Sequence, residues 1–423
     1  MRKPTLVIKF GGTSVGTADA MKQAVEIISR LHREWPNLVV VTSALAGVTD
    51  RLLQEAQRAA ETGESETVLQ AEAELRARHR AIAEALLPGG LRERTDEEVI
   101  RLLNSFVHLV RAIAVLGEAT PRALDAVASL GERISVRLLA AACQARGLLA
   151  EALDATQLIV TDAHFQNAHP DFAATAGRVR THLWPMLESG RIPIVTGFIA
   201  ATPQGIVTTL GRGGSDYSAA ILGATLPAQA VWIYTDVDGV MTADPRLVPQ
   251  AHTIAEISYR ELSELAYYGA KVVHPKTVRP VIEAGIELRI LNTFNPQHSG
   301  TRVVQEKAET NGRILQAVTA IRKQRLVTIE GRGMVGVPGV AARAFGAVAS
   351  TGTSVPFITQ ASSEQSICFS IPAETAERVL AALEQTFALE LAHGDIDRIW
   401  ASEEVAIITA VGQGMRQTPG VAG

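Results

Sequence analysis

Cysteine is scarce in this 423-residue chain: Cys143 and Cys368 stand alone in apolar surroundings. Two isolated thiols exclude a disulfide framework, and the absence of CxxC or Cys/His spacing excludes a zinc knot. Long apolar runs are missing as well. Met1-Arg-Lys-Pro-Thr-Leu-Val-Ile-Lys9 is too short in apolar residues for a signal peptide, and no unbroken run of about 20 apolar residues occurs. A cytoplasmic protein with no membrane partner is expected. Neither sign of charge is in excess. Forty basic residues against 44 acidic ones give a net charge of −4, which makes no electrostatic case for nucleic acid. Several catalytic signatures are also absent: GxxxxGK[ST], paired HRD and DFG, HExxH, and GxSxG. P-loop, protein-kinase, zincin and serine-hydrolase readings fall with them.

What remains is the pattern of a globular protein, 47% hydrophobic and 20% charged, long enough for two or three domains. Thr5–Phe10 reads as a buried strand ending in Gly11-Gly12-Thr13-Ser14. A helical pattern follows over about 18–34, then a second strand at Leu38–Ala44 and a small-residue turn to Asp50. Strand, glycine turn, helix, strand is the grammar of an α/β fold with a mostly parallel sheet. Helical periodicity over 50–87 and 96–117 suggests an insertion over one sheet edge. Leu130-Gly131-Glu132-Arg133-Ile134 reads as the start of another helix, where the dipole would favour an acid. Strands are expected at Leu158–Thr161, Ile192–Ile199, Val231–Thr235 and Glu287–Leu291, with a turn at Thr202–Gly205.

The richest stretch is Thr209-Leu-Gly-Arg-Gly-Gly-Ser-Asp216, between an alternating run and a helix opening. Such a loop aims backbone N–H groups and the helix dipole at a ligand. Arg212 adds a planar cation suited to carboxylate or phosphate. Ser215 reads as a helix cap. Asp216 is unexpected in an anion cradle and suggests a metal–phosphate, an ammonium group or a partner lysine. A Gly-rich turn with a Ser/Asp cap fits the stretch equally well. Lys9, between an apolar strand and Gly11-Gly12, points again to an anion site.

Beyond residue 300 the character changes. A polar stretch over 301–318 reads as a linker. Then Val327–Ala341 is echoed by Ile407–Ala422, with Gly331 matched by Gly412 at an offset of 81 residues. Between the copies lies a βαββαβ pattern. Gly331-Arg-Gly333-Met-Val-Gly336 matches GxGxxG, but the second copy lacks the third glycine, so a dinucleotide fingerprint is the poorer reading. Residues 319–400 form one such domain, and 401–423 read as the start of a second, apparently truncated.

Six stretches carry a resemblance. Lys9-Phe-Gly-Gly-Thr-Ser14, Val41–Asp50, Leu130-Gly-Glu132-Arg, Thr209–Asp216, Thr235–Arg246 and Gly269-Ala-Lys271-Val-Val-His-Pro275 together resemble the aspartate kinases. The repeat resembles their paired ACT regulatory domains, and its wording is nearest the bifunctional aspartate kinase–homoserine dehydrogenase branch. The resemblance implies an amino-acid-kinase three-layer sandwich over residues 1–300. It also implies transfer of the ATP γ-phosphoryl group to the side-chain carboxylate of L-aspartate, the first step toward lysine, threonine and methionine.

Carried over residue by residue, Lys9, Asp216 and Lys271 would be catalytic. Thr49, Glu132, Phe198, Arg212 and Ser215 would bind aspartate, with Arg212 on its α-carboxylate and Glu132 on its α-ammonium. Lys9, Gly11, Gly12, Thr235, Asp236, Met241, Arg246 and Lys271 would bind ATP, with Mg²⁺ held largely by phosphates and water and no direct protein ligand. Met241 departs from the tyrosine often found there, which bears on nucleotide affinity. An effector, lysine or threonine, would bind near Val337, Pro338, Gly339, Val340 and Gln360, with homo-oligomers formed through complete ACT domains. An incomplete second ACT domain would weaken feedback. Two rivals stand beside this reading: a related kinase acting on glutamate, acetylglutamate or a nucleotide, and a non-catalytic amino-acid sensor.

Overall fold

Strand β1 (Thr5–Phe10) is wholly apolar apart from Thr5 and Lys9, and it runs through the middle of the first sheet. The other strands of the first unit are β2 (Asn37–Thr42), β3 (Ala150–Leu153), β4 (Ile192–Thr196), β5 (Ile199–Ala201), β6 (Val207–Thr209), β7 (Ala230–Thr235), β8 (Glu256–Ser258), β9 (Glu287–Asn292) and β10 (Thr301–Val304). Eight of them form one sheet in the order β3-β4-β2-β1-β7-β9-β10-β8. Pairing is parallel from β3 through β9, and β10 runs antiparallel to β9. β5 and β6 form a separate hairpin. The central strands are buried on both faces, which is why they read as unbroken apolar runs instead of alternating ones.

This computed structural model describes residues 4–270, 273, 275–305, 315–334, 337–360 and 365–412. The chain divides into two compact units: Met1–Ala266 with Lys271–Gly312, and Tyr267–Ala270 with Arg313–Gly423.

Helices α1 (Ala18–Glu34), α2 (Val48–Thr62), α3 (Thr67–Leu86), α4 (Gly89–Leu116) and α5 (Pro121–Ala145) share one core with Leu6, Ile8 and Phe10 of β1. Side chains alternate across a strand, so Lys9 faces the opposite layer. That layer includes α6 (Phe172–Arg178), α7 (Trp184–Glu188), α8 (Gly214–Thr225) and α10 (Pro275–Glu283), of which α8 packs on β1, β2 and β7; α9 (Tyr259–Tyr267) follows β8. The three-layer α/β sandwich implied by the resemblance is the observed fold. The helical insertion is there too, with α4 beginning at Gly89, earlier than its periodicity suggested.

By length and composition α4 could cross a membrane. Its packing shows another use for the apolar residues. Val99, Leu103, Phe106, Val110 and Ile113 line one face and join the core, while Arg101, Asn104, His108 and Arg111 are exposed.

Three strand expectations are corrected. Leu158–Thr161 makes only isolated bridges, Val160 with Ala201 and Thr161 with Pro170. Ile192–Ile199 is broken at Gly197-Phe198 into β4 and β5, because Phe198 turns left-handed with φ 64°. Thr301–Val304, inside the stretch read as linker, is a sheet strand. Its Thr301 hydroxyl donates to Ile254 O at 2.6 Å and accepts from Val240 N at 2.8 Å.

In the second unit, β11 (Ala317–Glu330), α11 (Val340–Ser350), β12 (Phe357–Gln360), β13 (Ser366–Pro372), α12 (Ala376–Thr386), α13 (Ala388–His393) and β14 (Arg398–Ala401) give the expected βαββαβ order, with α13 added. The sheet is antiparallel, β12-β13-β11-β14, and its own core includes Val327, Ile329, Phe369, Val379 and Leu383. β15 (Val405–Val411) pairs with the first half of β11. Tyr267–Ala270 belongs to this unit because Thr319 Oγ1 donates to Tyr268 O at 3.1 Å, and a side chain at Gly269 would meet Ile321 at 3.1 Å. The residues after Gly412 that read as a second repeat lie outside those described.

Candidate active site

The strand order changes direction at β1: β2, β4 and β3 extend the sheet on one side, β7 and β9 on the other. In open α/β sheets ligands settle at such a switch, outside the carboxyl ends of the strands. The Lys9–Gly12 turn stands there. A cavity of about 480 Å³ opens beside it, and its walls include Lys9, Thr49, Glu132, Phe198, Arg212, Ser215 and Asp216. These are all five residues assigned to aspartate and two of the three assigned to catalysis. The third, Lys271, lies outside the described residues.

Lys9 Nζ meets Asp216 Oδ1 at 2.5 Å, and both side chains are nearly buried. This resolves the oddity of an acid in the Gly-rich loop: its partner is the lysine arriving from β1. Gly11 keeps the lysine head uncrowded, since a side chain there would stand 3.4 Å from Nζ. Its own N–H points to Tyr234 O at 3.4 Å. Gly12 is packed so closely on the Ala44–Ala46 turn that a Cβ would come within 2.8 Å of Ala44 O. Arg78 of α3, which sequence reasoning passed over, ties this corner together by donating to Ala46 O and Gly16 O.

The Gly-rich loop enters α8 through Gly211 and Gly213, with φ 76° and 69°. Gly213 occupies the cap position and no side chain caps the helix, so Ser215 is not the cap. It lies inside the first turn, against Gly197, where a Cβ would meet its hydroxyl at 2.6 Å. Phe198 is held in its left-handed conformation by Leu210 N donating to its carbonyl at 2.9 Å and by Gly214 under its ring. Arg212 is exposed and has no ion pair among the described residues.

Glu132 does not open a helix. It sits midway along α5, so the dipole does not account for it. One carboxylate oxygen accepts from Ala44 N at 3.2 Å, while Oε2 is buried without a partner among the described residues. Burial pushes its pKa up to about 8, against smaller lowering by backbone hydrogen bonds. A buried acid of this kind either stays protonated or ionises beside a cation. Gly131 lets α5 approach that closely, because a Cβ would stand 2.9 Å from that of Ala44.

Of the residues expected to bind ATP, Thr235 ends β7, and Asp236, Met241 and Arg246 follow it in the chain. Thr235 Oγ1 donates to Asp236 Oδ1 at 3.1 Å, and Met241 Sδ accepts from Thr253 Oγ1 at 3.5 Å. Arg246 is exposed and paired with Asp244 at 2.8 Å. In the second unit, Gly339 (φ 89°) precedes α11, Val337 is exposed, and Gln360 ends the exposed strand β12. Asp125, Gln166 and Ser43 also line the cavity and escaped sequence reasoning. Only Asp125 left a signal, seven residues before Glu132 and so on the same face of α5.

The profile of the amino acid kinase family matches residues 4–292, and that of the ACT domain residues 327–387. Bifunctional aspartokinase/homoserine dehydrogenase 1 of Arabidopsis thaliana is 38% identical over 98% of this chain, which spans 45% of that relative's length. Lysine-sensitive aspartokinase 3 of Escherichia coli is 35% identical over 98% of this chain and 89% of its own. The crystal structure of E. coli aspartokinase III with aspartate and ADP matches with a TM-score of 0.81 at 33% identity, over 99% of this chain and 90% of that one.

Proposed function

Because the chain belongs to the amino acid kinase family, among the aspartokinases that carry an ACT domain, we propose that it transfers the γ-phosphoryl group of ATP to the side-chain carboxylate of L-aspartate. The products are 4-phospho-L-aspartate and ADP, opening the route to lysine, threonine and methionine. The observation that carries the substrate is Glu132: a buried, half-satisfied carboxylate in the same cavity as Arg212, which has no ion pair among the described residues. That pair suits the ammonium and α-carboxylate of a free amino acid, leaving the side-chain carboxylate to face Lys9.

The acceptor is already a nucleophile, so no general base is needed. Phosphoryl transfer rests on positioning and charge neutralisation. Lys9, oriented by Asp216, neutralises charge on the transferring group. Thr235, Asp236, Met241 and Arg246 hold the nucleotide, with Lys271 serving its phosphates. Mg²⁺ arrives on the nucleotide phosphates, which with water supply most of its ligands. An amino-acid effector, lysine or threonine, acts through the ACT domain, and self-association uses the exposed strand Phe357–Gln360. We propose that the reaction runs in the cytoplasm.

ADP release with ATP–Mg²⁺ tests the reading, with L-aspartate, glutamate, acetylglutamate or no acceptor. Aspartate-dependent turnover is expected, with Lys9→Ala reduced at least ~10²-fold in kcat. Turnover with another acceptor alone would replace aspartate. Lysine and threonine added to the same assay identify the effector.

A further inference from the structure

The nominal ligand-binding residues of the cavity come from separate elements: Glu132 from α5, Arg212 from the Gly-rich loop. Something must fix one against the other. Asp125 stands where those elements meet. It lies on α5 seven residues before Glu132, two helical turns along the same face. It is 1% exposed, yet it lines the cavity.

Its carboxylate faces no cation in its hydrogen bonds. Oδ2 accepts from Gln166 N and from Thr209 N, each at 3.0 Å, and Oδ1 accepts from Thr209 Oγ1 at 2.8 Å. Thr209 ends β6, immediately before the Gly-rich loop. Gln166 holds a left-handed φ of 67°, costly for a residue with a side chain. Its carbonyl in turn packs on Gly211, where a Cβ would stand 3.1 Å away. Ala168 N closes the joint by donating to Thr209 O at 2.9 Å. One buried acid thus fastens α5, the Gln166 turn and the root of the Arg212 loop. Burial raises its pKa, and the three donors oppose that shift.

We propose that Asp125 is a positioning residue that sets the spacing of Arg212 from Glu132, and through it the affinity for the amino-acid acceptor. It touches neither ATP nor the reacting atoms. The proposal rests on the acceptor site described above.

The substitutions separate this role from a merely structural one. Asp125→Ala removes all three acceptor contacts. Asp125→Asn preserves them, because its carbonyl can take the two N–H donors while its amide donates to the Thr209 hydroxyl, which can accept. Thr209→Val removes one contact and keeps the backbone. Steady-state kinetics on the full chain should show KM for aspartate raised about tenfold or more in Asp125→Ala, with KM for ATP within about twofold. Asp125→Asn should lie within about threefold of wild type, and Thr209→Val about threefold above it.

An unchanged KM for aspartate in Asp125→Ala overturns the proposal, as does an equal rise in both KM values. Asp125→Asn behaving like the alanine variant also overturns it. If Asp125→Ala fails to fold, Thr209→Val decides: a selective rise supports the role and no rise refutes it. Wild-type turnover with a different amino acid would overturn the aspartate reading alone, and the same KM comparison with that acceptor would still judge Asp125.

Discussion

If Glu132 receives the ammonium group of an amino acid as proposed, its carboxyl must change charge on binding. In the unfolded chain Glu132 titrates near 4.5, and in the fold burial holds it near 8. Its neutral form is therefore the one the fold favours. That contribution to stability is complete below about pH 4.5 and is lost as pH rises toward 8. On the proposed reading binding runs the other way: an ammonium group on Glu132 needs the ionised form, so aspartate would displace a proton. KM for aspartate should fall between pH 6 and 8, by at most about tenfold per pH unit, and level off above. Glu132→Gln should show a high KM that is flat over the same range. A wild-type KM independent of pH would remove Glu132 from the ammonium. Phe198 makes a related point about strain, since a left-handed phenylalanine persists only where its surroundings fix it.

Helix α8 does two jobs with two glycines. At its first turn Gly214 supports Phe198, and a Cβ would come within 2.6 Å of the ring and 3.2 Å of Phe198 Cα. Farther along, Gly223 lies against Val231 of β7, away from the cavity lining. Gly214→Ala should cost about 1–3 kcal/mol in urea unfolding and also raise KM for aspartate. Gly223→Ala should cost a similar amount and leave KM unchanged. Equal kinetic effects would mean that α8 reaches the site only through global stability.

Much at this scale was readable from sequence. Lys9, the glycine turns and the Thr209–Asp216 loop stand out because special backbone is written in glycine. Other features were hidden. Asp125 in an Ala/Leu-rich helix looks like any solvated acid, and only the fold shows three donors converging on it. β3, Ala-Glu-Ala-Leu, lacks the β-branched residues that announce a strand. Leu158–Thr161 has that composition and makes only bridges.

At the scale of the whole molecule, each unit has its own apolar core. Calorimetric unfolding should therefore depart from a single two-state transition, with a van't Hoff enthalpy below the calorimetric one. Aspartate should raise the midpoint of the transition belonging to the catalytic unit. One cooperative transition with equal enthalpies would show the two cores to be thermodynamically inseparable. The sequence reading placed the change of character near residue 300, and the contacts move it. Thr301–Val304 completes a sheet that composition alone could not reveal.

The membership of Tyr267–Ala270 in the second unit bears on how such chains can be recombined. A regulatory module appended at one junction could be exchanged by a single crossover in the polar stretch near residue 310. Here such a crossover would leave a four-residue piece of the old module behind, immediately before Lys271, facing a foreign strand in place of Thr319 and Ile321. A chimera that exchanges the second unit must carry Tyr267–Ala270 along with the C-terminal segment. The exchangeable unit of this chain is therefore discontinuous in its gene.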